Sequence, residues 1–404
     1  MAAMLLSPVG TVIAGTSDAA NRKAGYQTEN FRIRPSISIT QKYDDNVFTT
    51  DRNTRWDWIT MVAPSLKIDS TWTNHSLRLM AGAESGTYWK YDREDYLDYW
   101  VSTEGRYSVS SNTDLFAGLG FSYEHEGRDA PDSPAAQLEP TTYRTFDANA
   151  GIKTTHGDNT YRIGGTYETL DFDNTPTTFG RIINDDRDRA LIGAGIRAAH
   201  KLNEKDRVFL QLRYDDRNYD RSADQFGFKR SSDGYRAAAG LMRDWAGGSE
   251  FEAYLGVIGQ DYEDKRFGSI TKIDFGGRLT VRLDSGSKIA LQLQRSLDET
   301  TEIGSPGYLN TSFSGRLDHR VSPRLIPYLS LGYSDFDFLK TGRTDRTYSA
   351  GAGVKYFVTR NTHVILGARH RSRDSNDKGL PVGSNDFDET SVFLGFTSRL
   401  YPLF

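Results

Sequence analysis

Arg34, Arg78, Arg106, Arg162, Arg197, Arg213, Arg236, Lys272, Arg278, Arg282, Arg316, Lys355 and Arg369 share a position: each lies in the opposite register to a run of alternating apolar residues. Residues two apart in an extended chain point to the same face, so these cations define a polar face behind an apolar one. Acids on that face are fewer, among them Asp69, Glu84, Asp98, Glu104, Asp147, Glu168, Asp215, Asp274 and Asp318. Rings of Arg and Lys select anions where they line a pore. The same residues could instead brace a wall, as cross-strand Arg–Asp and Arg–Glu pairs. The excess of cations over acids points to an anion path more strongly than any single member does.

What positions them is one device repeated from about residue 31 onward: roughly 10–15 alternating residues, then a break rich in Asp, Asn, Gly and Ser. Val208, Leu210, Leu212 and Tyr214 form one of the clearest runs; Leu115, Ala117, Leu119, Phe121 and Tyr123 form another. The breaks alternate short and long. Short ones include Ser108–Asn112, Asn203–Asp206 and Asp284–Ser287; long polar ones include Glu126–Thr141, Asp173–Asp186 and Arg217–Asp233. This predicts an all-β fold: a single antiparallel up-and-down transmembrane β-barrel of about 18 strands, with short periplasmic turns and long extracellular loops. The expected division is a lead-in or degenerate signal segment at 1–30 and an outer-membrane barrel at 31–404. Met1–Ala20 has no Lys or Arg, and Ser7, Pro8 and Gly10 interrupt its apolar stretch.

Composition agrees. The chain has 404 residues, 37% hydrophobic, with 38 Gly, 22 Tyr, 21 Phe and a net charge of -4. Its mean hydropathy is -0.60, and it lacks the run of about 20 apolar residues that a spanning helix requires. Abundant aromatics argue against a disordered chain. Cysteine is absent, which removes disulfide frameworks, thiolate metal sites and thiol catalysis.

Tyr43–Phe48 (YDDNVF) and Trp58–Leu66 (WITMVAPSL), together with the hairpin rhythm over 31–404, resemble an outer-membrane β-barrel porin family of Gram-negative bacteria. Members of that family are often linked to exopolysaccharide synthesis and export. The resemblance implies a porin-like conduit that exports polysaccharide or passes anionic solutes. A non-conducting structural or assembly barrel of an envelope complex is the alternative, and an outer-membrane enzyme is a third reading. The chain departs from the usual barrel end, because Pro402 interrupts the alternation before the terminal Phe404.

Asp44, Asp45 and Asn46 could cluster oxygens around a hard cation, but Asp/Asn turn chemistry explains them as well; no metal and no cofactor are expected. Trp100, Phe116, Phe209 and Tyr328 are lumen-facing rings on which a sugar could stack. Of the seven histidines, His125 and His370 fall near the loop end, and His125–Glu126 with Asp129 is the nearest approach to an acid–base site. A nucleophile, base and orienter do not otherwise converge, so no enzyme is expected. Expected partners are outer-membrane lipid and lipopolysaccharide, the barrel-assembly machinery, and polysaccharide or a periplasmic export component, with no nucleic acid. The expected location is the outer membrane of a Gram-negative bacterium, with both termini periplasmic.

Overall fold

The computed structural model describes residues 25–133, 137–178, 180–377 and 385–401. Residues 1–24 of the expected lead-in at 1–30 and the Pro402–Phe404 tail lie outside the described residues. Eighteen long strands form one antiparallel barrel: β1 (Phe31–Asp44), β2 (Asp57–Ser70), β3 (Ser76–Tyr88), β4 (Tyr96–Ser108), β5 (Thr113–His125), β6 (Thr142–His156), β7 (Asn159–Phe172), β8 (Arg189–Lys201) and β9 (Asp206–Tyr219). The second half follows with β10 (Ser232–Trp245), β11 (Ser249–Tyr262), β12 (Ser269–Arg282), β13 (Ser287–Asp298), β14 (Tyr308–His319), β15 (Leu325–Phe338), β16 (Thr344–Phe357), β17 (Thr362–Ser375) and β18 (Phe387–Arg399).

Each strand pairs with its sequence neighbours, and β18 returns to β1 from Ser36↔Arg399 to Asp44↔Ser391. Closure leaves no free sheet edge, which is the condition for strands to cross lipid. A two-residue strand at Tyr26–Gln27 adds to the start of β1.

Apolar side chains point outward. Leu210, Leu255 and Leu331 are more than 60% exposed, which would be a liability in water and is expected against acyl chains. Aromatic residues thicken this belt toward the rims: Tyr43 packs edge-on against Trp58 at 5.3 Å, and Tyr333 lies 5.2 Å from Tyr348. The 16–18-strand range leaves an aqueous interior rather than a packed one.

The loops alternate as the sequence implies. One rim carries tight turns such as 157–158, 246–248 and 283–286; the other carries 45–56, 126–141, 173–188 and 220–231. Gly157 has φ +57, the left-handed conformation that a two-residue hairpin turn requires and that glycine adopts at no steric cost. The first strand begins and the last ends at the tight-turn rim.

One ladder is short. β12 and β13 pair only from Gly277↔Leu293 to Arg282↔Lys288. Above that point the Arg295 Nη1 donates to the Ile273 carbonyl oxygen at 2.9 Å, and the Arg236 Nη2 donates to the Arg295 carbonyl at 2.9 Å. Side chains thus take over part of the backbone hydrogen bonding that lipid could not satisfy. At the long-loop end of this seam lies an apolar cluster of Ile258, Tyr262, Phe267, Ile270, Leu297, Leu309 and Leu339, with Phe228 packed against it.

Candidate functional site: the lumenal constriction

The loop segment 126–133 does not stand away from the barrel. Its contacts reach side chains all around the long-loop end. Asp129 accepts from Arg371 of β17 through its carboxylate and from Arg373 through its carbonyl. The Thr300 Oγ1 donates to the Asp132 carboxylate at 2.6 Å, and the Arg343 Nη2 donates to the Pro131 carbonyl at 3.0 Å. On the other side, the Arg128 Nε donates to Glu94 at 2.8 Å and Thr49 donates to the Arg128 carbonyl at 2.9 Å. Arg187 holds the loop base through Glu126 at 2.7 Å. A segment tied to both walls narrows the channel. Enclosure pushes the Asp132 carboxyl above the usual carboxylate range, opposed by the Thr300 hydrogen bond and by Arg187.

Below the Asp129 contact a chamber of about 720 Å³ opens between β13 and β18. Its size follows from its residue types. Ser314, Ser330, Gly332, Ser349 and Gly351 line the wall with small side chains. Against it stand Arg316, Arg369, Arg371 and Arg373, with Gln292, Gln294 and Tyr328. Arg316 and Arg369 lie on one row of the sheet, joined through Ser330 and Gly351. The alternation Arg369-x-Arg371-x-Arg373 carries the cations up one face of β17.

The sequence-identified cations divide by partner. Arg34 and Arg78 both donate to Asp69, the second at 2.7 Å, and Arg78 also lies 3.6 Å from Glu104. Arg106 pairs with Asp114 at 3.1 Å. Arg197 and Arg278 share Glu252, at 2.8 and 3.3 Å. Arg236 lies 3.0 Å from Asp274, and Arg316 lies 2.9 Å from Asp318. Arg282 donates to the Gly248 carbonyl at 3.3 Å. Arg162 lies over the Phe116 ring at 4.2 Å, and Arg213 sits on β9 opposite Arg236. Lys272, Lys355 and Arg369 have no carboxylate partner among the described residues. Many of these cations therefore brace the wall.

Arg371 shares the lumenal register of Arg369 that the alternation defines, whereas Arg373 and Asp129 do not read as pore residues from the sequence. Arg373 lies in that register too, but the acid-rich stretch that begins there reads as a loop, whereas β17 runs to Ser375. The inward path of 126–133 leaves no periodic trace.

Other sequence candidates resolve into structure. Guanidinium groups cover three of the four stacking candidates: Arg162 on Phe116, Arg197 on Phe209 at 3.7 Å and Arg316 on Tyr328 at 4.1 Å. Trp100 lies over Gly82. Asp44 accepts from the Asn46 backbone N–H at 3.0 Å, Asn46 donates to the Thr50 and Asp388 carbonyls at 2.8 Å, and Asp45 accepts from the Thr390 N–H at 2.7 Å. YDDNVF thus stitches the β1–β18 closure. His125 pairs with Asp98 at 2.9 Å and stacks on Tyr96, while Glu126 and Asp129 turn to different arginines.

The chain matches the family described as "Putative beta-barrel porin 2" over residues 19–400. It belongs to that family. It is an outer-membrane β-barrel porin and not an enzyme. No curated protein matches it. Among solved structures it is similar to Pseudomonas aeruginosa OpdK with vanillate (14% identity, TM-score 0.47, covering 91% of this chain and 98% of that one). It is similar also to OccK2 (OpdF) of the same organism in complex with glucuronate (13%, 0.48, 93% and 100%) and to OccK3 (OpdO) (17%, 0.46, 91% and 96%).

Proposed function

We propose that this porin passes anionic solutes through a basic lumen, with acidic polysaccharide as an exported cargo, and that its short turns and both termini face the periplasm. The observation that carries the reading is the arginine column of β17 beside the chamber, in which Arg369 has no carboxylate partner among the described residues. A cation with free hydrogen-bonding capacity in a narrow, low-dielectric passage attracts a carboxylate or phosphate far more strongly than one in bulk water does. Small hydroxylated and amide side chains around it offer donors and acceptors to a hydroxylated solute. A silent structural barrel has no use for such a group.

Liposome swelling tests the reading. Purified protein in vesicles should admit gluconate faster than a cationic solute of similar size, and Arg369→Gln should shrink the difference. Equal rates for the two solutes, or no swelling with either, would overturn it.

A further inference from the structure

Beside one-to-one pairs such as Arg106–Asp114 and Arg187–Glu126, the shared ion-pair clusters differ between the two ends of the barrel. At the tight-turn end Glu252 alone holds Arg197 and Arg278, while Asp69 and Glu104 together hold Arg34 and Arg78. In the same half Lys288 and Lys355 have no carboxylate partner among the described residues. At the long-loop end two acids serve one cation. Arg371 lies between Asp129 and Glu389, Arg217 between Asp215 and Glu299, and Arg343 between Glu302 and Asp345. Pairing therefore leaves a positive remainder toward the tight turns and a negative remainder toward the loops.

We propose that the lumen is an axial charge diode whose basic, tight-turn end is the entry mouth for a polyanion, an acidic polysaccharide chain. The proposal rests on the anion-passing reading above and adds a direction to it. Fixed charge of one sign enriches mobile ions of the other. Anions gather in the tight-turn half and cations in the loop half. A voltage that makes the long-loop side positive drives both populations toward the middle of the channel and raises its conductance; the opposite voltage empties it. A polyanion meets attraction at the tight-turn mouth and repulsion at the loop mouth. Screening lengths of about 10 Å at 0.1 M and about 3 Å at 1 M confine the effect to low salt.

Single channels in planar bilayers test this. The chain has no cysteine, so Ser111→Cys in a tight turn reports orientation when a bulky membrane-impermeant maleimide is added to one chamber. In about 0.1 M KCl the current should be about twofold larger with the long-loop side positive, and the ratio should approach one in about 1 M KCl. Polygalacturonate oligomers added to the tight-turn chamber should block at about tenfold lower concentration than from the loop chamber, and neutral dextran of similar length should show no sidedness. The Lys288→Glu/Lys355→Glu pair should bring the low-salt current ratio toward one without touching the constriction. Symmetrical currents at low salt, or equal polygalacturonate block from both sides, would overturn the diode even in a channel that prefers anions. Loss of the anion preference itself would overturn the underlying reading instead.

Discussion

Arg371→Gln should loosen the constriction by an amount the structure sets. Arg371 joins the loop residue Asp129 to the wall residue Glu389. A hydrogen bond to a charged partner contributes roughly 1.5–3 kcal/mol, which corresponds to about a tenfold to hundredfold change in an equilibrium. The loop keeps its other ties: Arg373 to the Asp129 carbonyl, Thr300 to Asp132, Arg343 to Pro131 and Arg128 to Glu94. The docked state should therefore remain dominant, while excursions to a wider, higher-conductance state become about tenfold to hundredfold more frequent. Single-channel recording reads that ratio directly. Asp129→Asn should give a similar change, and the double variant should fall well short of the sum because both remove one interaction. Unchanged excursion frequency in Arg371→Gln, or strictly additive effects in the pair, would refute the tether.

Further predictions follow the same reasoning. Replacing Arg278, Arg282 and Arg316 with Gln leaves Glu252 and Asp318 with fewer cations, so the reversal potential should move toward cation selectivity; an unmoved value would retire the basic lumen. A side chain at Gly86 would overlap the Tyr96 ring, which donates to Glu84 at 2.6 Å. Gly86→Val should cost about 1–3 kcal/mol, read as a lower temperature for loss of the compact form on semi-native gels. Asp264, in the loop 263–268, is held below the usual carboxylate range first by Arg266 and also by the Lys229 and Arg266 backbone N–H groups. A lowered folded value means this stabilisation is present at neutral and mildly acid pH and lost only as pH falls through that low value. Pepsin should spare the loop at about pH 3.5 in the native protein and cut it at that pH in Asp264→Asn.

The wall was legible and the constriction was not, for physical reasons. Period-two alternation is enforced at every strand because one face meets lipid, so runs such as Val208–Tyr214 announce themselves and the register of Arg34 through Arg369 follows. Loop lengths likewise follow from the breaks. The inward course of 126–133 depends on contacts such as Asp129–Arg371, made by residues far apart in the chain, and no local pattern encodes them. Pairing was half visible: cations and acids could be placed on one face, but Asp69 serving two arginines and Arg371 serving two acids emerge only when neighbouring strands are aligned. The cation excess read from the sequence thus became a distribution, with bracing pairs throughout and, among the described residues, no carboxylate partner for Lys272, Lys355 and Arg369.

The central claim is that the lumen favours anions, and the reversal potential of a single channel in a KCl gradient tests it most directly. The account predicts a potential of the sign given by chloride permeating faster than potassium. A potential of the opposite sign, or a reconstituted barrel that conducts nothing, would contradict it.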